Sequence, residues 1–382
     1  MISPVSGFNP KVTLRVSQQQ ILSGDGIQTE DYVGESEQDG AIEISPSPIP
    51  IHLISTDDNP PEDSSILATG TVLSCNGLDF EVGRFINNGG MSQVYEVTRD
   101  GEKYAAKFLN KNLVTTPFNG RFEKEIRLLE ELNGNPHVIR LIASGSYNDQ
   151  PFYIMEYADG GSLKDKKGTL TKKEMLLILA MLCPPLDDLH KKGIIHRDLK
   201  PSNILFRNGV PKLSDFGVAA STLELGVMSR HPSGGRLTNT NDILGTPCYM
   251  APEQAKKALI VIREIQRAGN IDAAKRAFDR IRGLMSSPRI DFYSMGAMVY
   301  ESLTGKLPIE YKQEGVEAYL DRIVNEPPVH ILQHLPRLDR TFARRVMCSL
   351  NKNPELRFRD DEDKERALLW FKKQIERGIR TL

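Results

Sequence analysis

His196-Arg197-Asp198-Leu199-Lys200-Pro201-Ser202-Asn203 is followed, twelve positions after the Asn, by Asp215-Phe216-Gly217. Two acids, an amide and a cation therefore stand close together along the chain. Such a set suits metal-assisted transfer of a phosphoryl group. Asp198 can orient a hydroxyl nucleophile and accept its proton. Asn203 and Asp215 supply the hard oxygens that Mg²⁺ on nucleotide phosphates prefers. Lys200 can neutralise charge on the moving group.

The string His-Arg-Asp-Leu-Lys-Pro-x-Asn, with Asp-Phe-Gly downstream, resembles the eukaryotic-type protein kinase family. The resemblance runs from about Leu73 to Arg359. It implies an α+β, two-lobed fold: a small lobe of a five-stranded sheet plus one helix, and a larger, mainly helical lobe. The chain's own patterning agrees, since strand-like stretches come first and helical ones afterwards. Phe80–Ile86, Val94–Val97, Glu102–Phe108, Val138–Ala143 and Phe152–Tyr157 read as strands, and Phe122–Leu132 as a helix. The family's activity would be transfer of the ATP γ-phosphate to Ser or Thr hydroxyls of proteins, with Mg²⁺, or Mn²⁺ as a substitute. The alternatives are a pseudokinase scaffold or binding module, which the presence of Lys107, Glu125, Asp198, Asn203 and Asp215 disfavours, and a small-molecule phosphotransferase of similar fold, against which the complete activation segment with its Ala-Pro-Glu ending argues.

On the nucleotide side, the loop after Ile86 needs backbone amides close to phosphate oxygens, which small residues permit. Aligned on the family's glycine-rich loop, the chain reads Asn87, Gly89, Ser92 and Val94, with Gly90 beside the one retained glycine. Its wording, Gly-Gly-Met-Ser-x-Val-Tyr, is similar to the bacterial branch of the family. The resemblance makes Lys107 the contact to the α- and β-phosphates, with Ala105 on the same strand. Glu125 is the expected partner of Lys107 in preference to Glu123, because Leu128, Leu129 and Leu132 then lie on the core side. Met155 matches the gatekeeper, and Glu156-Tyr157-Ala158 the hinge whose backbone meets adenine; Ser162 or Asp159 reaches the ribose.

On the substrate side, residues 215–253 resemble an activation segment ending in Gly245-Thr246-Pro247-Cys248-Tyr249-Met250-Ala251-Pro252-Glu253. Lys200 and Thr246 match the Ser/Thr-specific pattern, with the Thr246 hydroxyl bridging Asp198 and Lys200. Arg197 is placed to pair with phosphate on this segment. Thr238 and Thr240 form a Thr-x-Thr arrangement similar to relatives that autophosphorylate there, and Asp242 offers Arg197 a carboxylate as well. Asp291 resembles the buried helix acid that fixes the catalytic-loop backbone, and Arg357 the buried partner of Glu253.

Two departures carry expectations of their own. Pro184-Pro185 fall in the helix before the catalytic loop, and each interior Pro costs roughly 3 kcal/mol, so a kink or an early break is expected there. Thirty-seven residues, 254–290, stand where the family commonly has about a dozen. Leu259, Ile262 and Ile265, then Ala274, Phe278, Ile281 and Met285, recur at helical spacing around Gly269-Asn270. An inserted α-hairpin follows, with nine basic and three acidic residues. Arg263 and Arg267, and again Lys275 and Arg282, would share outward faces and dock an acidic protein partner. Nucleic acid is an unlikely partner, since Phe278 alone interleaves the cations and it falls on the apolar stripe.

The 382 residues carry a formal charge of −1, unevenly spread. Residues 1–70 hold eleven acids against Lys11 and Arg15, a charge of −9, leaving +8 for the remainder. This Ser- and Pro-containing stretch lacks any sustained period and reads as a disordered leader. The kinase-like domain is expected at 71–382, with its small lobe at 71–159 and its large lobe at 160–382. Cys75, Cys183, Cys248 and Cys348 are scattered without paired spacing, which fits a reducing compartment rather than a disulfide framework or zinc site. The most apolar run, Met175–Cys183, is too short to span a bilayer, and the first residues lack a secretory pattern. A cytoplasmic protein is the expectation, with a host-directed effector or a defence-system kinase as open roles.

Overall fold

A computed structural model describes residues 67–88, 92–115, 117–216, 247–268, 287–312, 314–357 and 367–381, which belong to one compact unit spanning 67–382. The leader up to residue 66 lies outside these. The small lobe is an antiparallel sheet of β1 (Val72–Cys75), β2 (Leu78–Asn88), β3 (Ser92–Arg99), β4 (Glu102–Leu109), β5 (Leu141–Tyr147) and β6 (Gln150–Glu156), in the order β1-β2-β3-β4-β6-β5. It therefore has six strands where five were expected. The additional one, β1, is joined to β2 by Asn76-Gly77, both at positive φ. That pair is a tight hairpin signal, but a four-residue strand is too short for its alternation to stand out. The expected strand Val138–Ala143 starts later, at Leu141; Val138 instead makes an isolated bridge to Leu213.

Helix α1 (Pro117–Glu131) lies on this sheet, burying Phe118, Phe122 and Leu129. It begins a turn earlier than its apolar spacing indicates, at a proline, which suits the first helical position because its missing N–H is unpaired there anyway. The Phe122 ring meets that of Tyr153 on β6, with centroids 5.4 Å apart.

In the large lobe, α2 (Lys172–Lys191) starts at a capping box: Thr171 Oγ1 accepts from Glu174 N, and Glu174 Oε2 accepts from Thr171 N. The expected early break at Pro184-Pro185 does not occur, and the helix continues to Lys191. Leu179, Leu182, Cys183 and Leu186 are fully buried along it, so packing outweighs the two missing donors. Met181, Pro184 and Pro185 line a groove on this part of the helix. The hairpin of β7 (Ile204–Arg207) and β8 (Val210–Leu213) follows.

Helix α3 (Pro252–Ala268) runs from the Ala-Pro-Glu sequence into the insert without interruption. With Met250, its Ala255, Ala258, Leu259 and Ile262 form a second core against Tyr319, Leu320 and Ile323 of α5 (Val316–Asn325). The second helix expected in the insert lies outside the described residues. Between these, α4 (Arg289–Thr304) is buried on nearly every side, and Gly296 lets it approach Ser349 of α6 (Arg340–Ser349). The chain closes with α7 (Ala367–Thr381), beyond the reach of the family resemblance. It buries Leu368, Phe371, Ile375 and Ile379 against the same core as α2, and its Gly378 lies against the Phe342 ring.

Candidate active site

Strand register sets the inner wall of the cleft. Lys107 stands opposite Tyr153, and Ala105 opposite Met155, across β4 and β6. Val94 faces Lys107 from β3, while Asn87 pairs with Val94 at the mouth of the loop. Ala105 and Met155 are buried, Val94 half-buried and Ile86 exposed, so the strands present a graded apolar wall. Ser92 opens β3. Gly89 and Gly90 lie outside the described residues.

Lys107 Nζ donates to Glu125 Oε1 at 2.8 Å and also pairs with Asp215 Oδ1. Tyr153 Oη donates to the same Glu125 oxygen at 3.0 Å. Burial drives the Lys107 ammonium down, but Asp215 and Glu125 together outweigh it and hold its pKa well above the ordinary value. Glu125 moves up, because burial outweighs the attraction of Lys107. Burial also pushes Asp215 up, yet Lys107 and then Lys200 leave its carboxyl below the usual range. One ammonium thus serves two carboxylates, and Asp215 is kept ionised with 43% of its side-chain surface open to the cleft.

The catalytic-loop residues converge on the other side. Lys200 Nζ donates to Asp198 Oδ2 at 2.8 Å, and Asn203 Nδ2 donates to the same oxygen at 3.0 Å and to the Asp198 carbonyl at 2.9 Å. These bonds commit the amide nitrogen inward and orient Asn203 Oδ1 as an acceptor. Ser214 brings Asn203 beside Asp215: its N–H and its Oγ both donate to the Asn203 carbonyl, at 3.0 and 3.2 Å. A carboxylate and an amide oxygen, with no thiol or imidazole among them, match the preference of a hard divalent cation such as Mg²⁺.

The loop backbone is held under strain by a buried acid. Arg197 sits at φ 67° and Asp215 at φ 54°, both in the left-handed region that side chains disfavour. Asp291 Oδ1 accepts the Arg197 N–H at 2.8 Å, and its Oδ2 accepts those of His196 (2.9 Å) and the His190 ring (2.7 Å). Burial pushes Asp291 up, but these donors bring it below the ordinary carboxylate range. The Arg197 carbonyl accepts from Gln254 at 2.8 Å.

Several functional neighbours were not legible beforehand. Chain spacing gives His196 no role, yet its Nδ1 accepts from Asp198 N, its Nε2 donates to the Ser214 carbonyl, and its ring lies 4.7 Å from that of Phe216. That arrangement requires the neutral ring, and burial accordingly lowers its pKa. Glu156 turns its carboxylate away from the cleft, to Lys212 (2.7 Å), Arg207 (3.3 Å) and the Arg140 N–H (2.8 Å). Asp159 accepts from Asn208 N, and Ser162 Oγ donates to Asp165, so both residues expected near the ribose already have partners. Half-buried Ala158 accepts from Gly161 N. Thr246, Thr238, Thr240 and Asp242 fall outside the described residues. Across the large lobe, Arg357 meets Glu253 through two bonds of 2.7 Å, the pairing expected of them.

Residues 80–262 match the protein kinase domain family. The serine/threonine-protein kinase PknB of Mycobacterium tuberculosis is 31% identical over 291 residues, covering 73% of this chain and 40% of that protein. PknB of Mycolicibacterium smegmatis is likewise 31% identical, over 295 residues and the same shares, 73% and 40%. The chain thus spans well under half the length of these relatives. The solved kinase domain of Mycobacterium tuberculosis PknI matches the fold with a TM-score of 0.53 over 82% of this chain and 100% of that chain, at 21% identity. Motif, lobe architecture and relatives agree, and residues 80–262 are a protein kinase domain similar to the eukaryotic-like serine/threonine kinases.

Proposed function

We propose that the chain is an ATP-dependent protein serine/threonine kinase, its kinase domain spanning 71–382 behind an acidic leader at 1–70. The observation that carries this reading is the Lys107–Glu125–Asp215 cluster beside the Asp198–Lys200–Asn203 cluster. Together they offer a cation for phosphates, two metal-ligating oxygens and a base. Asp198 Oδ2 is occupied by Lys200 and Asn203, while Oδ1 has no partner among the described residues and is left to take the proton of an incoming hydroxyl. Asn203 Oδ1 and Asp215 would hold Mg²⁺, which offsets charge on the ATP phosphates. Lys107 then fixes the phosphates, and positioning with electrostatics supplies nearly all the rate enhancement. Ile86, Asn87, Gly89, Gly90, Ser92 and Val94 would roof the nucleotide, and Met155, Glu156 and Ala158 would line its inner edge.

Transfer of labelled phosphate from ATP to myelin basic protein, beside an Asp198→Asn control, tests the reading. Transfer by the parent chain alone supports it, and transfer by neither or by both proteins sinks it. Autophosphorylation at Thr240 or Thr238, read by Arg197, would add phosphate to the intact mass after ATP incubation. Substituting both threonines by Ala should lower activity. Arg263 of α3 is already paired with Glu317 (3.2 Å) and Asp321 (3.1 Å), so an acidic partner would meet Lys256 and Arg267 on that helix instead. Among the described residues no helix is long and apolar enough to cross a membrane, which is compatible with a cytoplasmic setting.

A further inference from the structure

Strand β2, which leads into the nucleotide loop, pairs irregularly with β3. Its register with β3 shifts between Val82 and Phe85 and again between Phe85 and Asn87. Arg84 sits in the first of these gaps. Its Nε donates to Glu96 Oε2 on β3 at 3.0 Å, and its Nη2 donates to Tyr157 Oη at 2.9 Å, 73 residues further along the chain. Glu96 is held in turn by Lys103 of β4 at 2.9 Å, and the Lys103 ammonium lies 5.7 Å from the centre of the Tyr157 ring. The main chain of Tyr157 is anchored in the other lobe, where its carbonyl accepts from Arg207 Nη1 at 3.0 Å. Both strands that flank the nucleotide loop are therefore tied to one hinge residue, itself tied to the β7–β8 hairpin.

We infer that Arg84 and Tyr157 are positioning residues for the nucleotide cleft, bracing its roof strands at a set height above the hinge. This inference rests on the nucleotide-binding reading above. The Arg84 side chain is 69% exposed, so no core packing depends on it. Its partner Glu96 is buried, but with the Arg84 end in water the pair is screened and by itself contributes little to stability. The effect of this one lies in where it crosses: it spans the register shift between Val82 and Phe85 and limits how far β2 can lift. Losing the brace leaves the fold intact and widens the range of roof positions, only some of which fit a nucleotide.

The test uses the full chain with Arg84→Gln, Tyr157→Phe and both together. Hydrogen exchange of the Phe85–Asn88 amides is followed without nucleotide, and MgADP affinity is measured by calorimetry. Each single variant should exchange faster in this stretch and bind MgADP about 3- to 10-fold more weakly, the effect of one hydrogen bond. The double variant should be no worse than Arg84→Gln, because that change already removes the Arg84–Tyr157 bond along with the Glu96 pair. Exchange and affinity within about 1.5-fold of the parent in both single variants, or effects that multiply in the double variant, would overturn the brace (a 1.5-fold change is far below one hydrogen bond). Failure of the parent itself to bind MgADP would overturn the nucleotide reading, and with it the role assigned to the brace, even if the exchange rates still register the tie.

Discussion

Lys107 carries one positive charge between Glu125 and Asp215, and that shared cation sets what each substitution there can do. Asp215→Ala removes a candidate metal ligand from the cleft wall without touching core packing, so it should fold and lose Mg²⁺-dependent transfer. Lys107→Met leaves two carboxylates without their cation, and Glu125, already raised by burial, should take up a proton. Both variants should retain less than about a tenth of the parental rate, a loss above about 1.4 kcal/mol. Initial rates on one protein substrate, with melting curves alongside, check this. His196 gives a pH signature. Its pKa is depressed in the folded chain, so unfolding takes up a proton. The stability it contributes is complete above the ordinary histidine value of 6.5 and is lost as pH falls through the lower folded value. His196→Gln should destabilise by about 1–3 kcal/mol near pH 8, and the gap to the parent should narrow steadily as pH falls below 6.5. A gap independent of pH would contradict the neutral, buried ring.

Among the elements, α2 and α3 show packing and local propensity pulling apart. In α2 the Pro184-Pro185 pair removes two ladder bonds, and the buried apolar row from Leu179 to Leu186 keeps the helix whole. Pro184 is only half-buried, so Pro184→Ala restores a donor with little loss of contact. It should raise stability by about 1–3 kcal/mol, short of the full propensity difference because the unfolded chain gains freedom too. Urea unfolding measures it, and a lower midpoint would mean the proline shapes a contact that the helix needs. Helix α3 is a different case. Its spacing marked Leu259 and Ile262 as apolar, and both are buried against α5. The same spacing put Arg263 outward, where it meets Glu317 and Asp321 on that neighbouring helix. Face periodicity identifies the side of a helix that leaves its own core contact, but not which other helix stands beside it.

At the scale of the molecule, the Glu253–Arg357 pair joins the start of α3 to a residue 104 positions away, and Arg357 also donates to the carbonyls of Asn351 and Arg289. Arg357 is fully buried and Glu253 is 5% exposed. Arg357→Leu would strand the Glu253 carboxylate and should cost about 3–5 kcal/mol. Arg357→Lys should recover only part of this, since a single ammonium cannot reproduce the two parallel bonds. Equilibrium unfolding of the two variants decides it; equal stability of Lys and Arg at this position would mean the geometry of the fork is unimportant.

What the sequence determined by itself was the chemistry and the order of the parts. Asp198, Lys200 and Asn203 lie within six residues and Asp215 follows twelve after the Asn, whereas Lys107 is singled out by resemblance to the family's third-strand lysine. Glu125 was separable from Glu123 by helix periodicity alone. These are local properties, set by strand alternation, helical repeat and side-chain type. The tertiary structure decided everything that depends on which distant group arrives alongside: Asp159 turned to Asn208, Glu156 to Lys212, Arg263 to α5, Arg84 to Tyr157, and a sixth strand paired along β2. A charged side chain takes the nearest partner that the packed backbone brings within about 4 Å. That proximity is created by burial of the apolar faces of α1, α2, α3 and the sheet, and chain spacing carries no record of it.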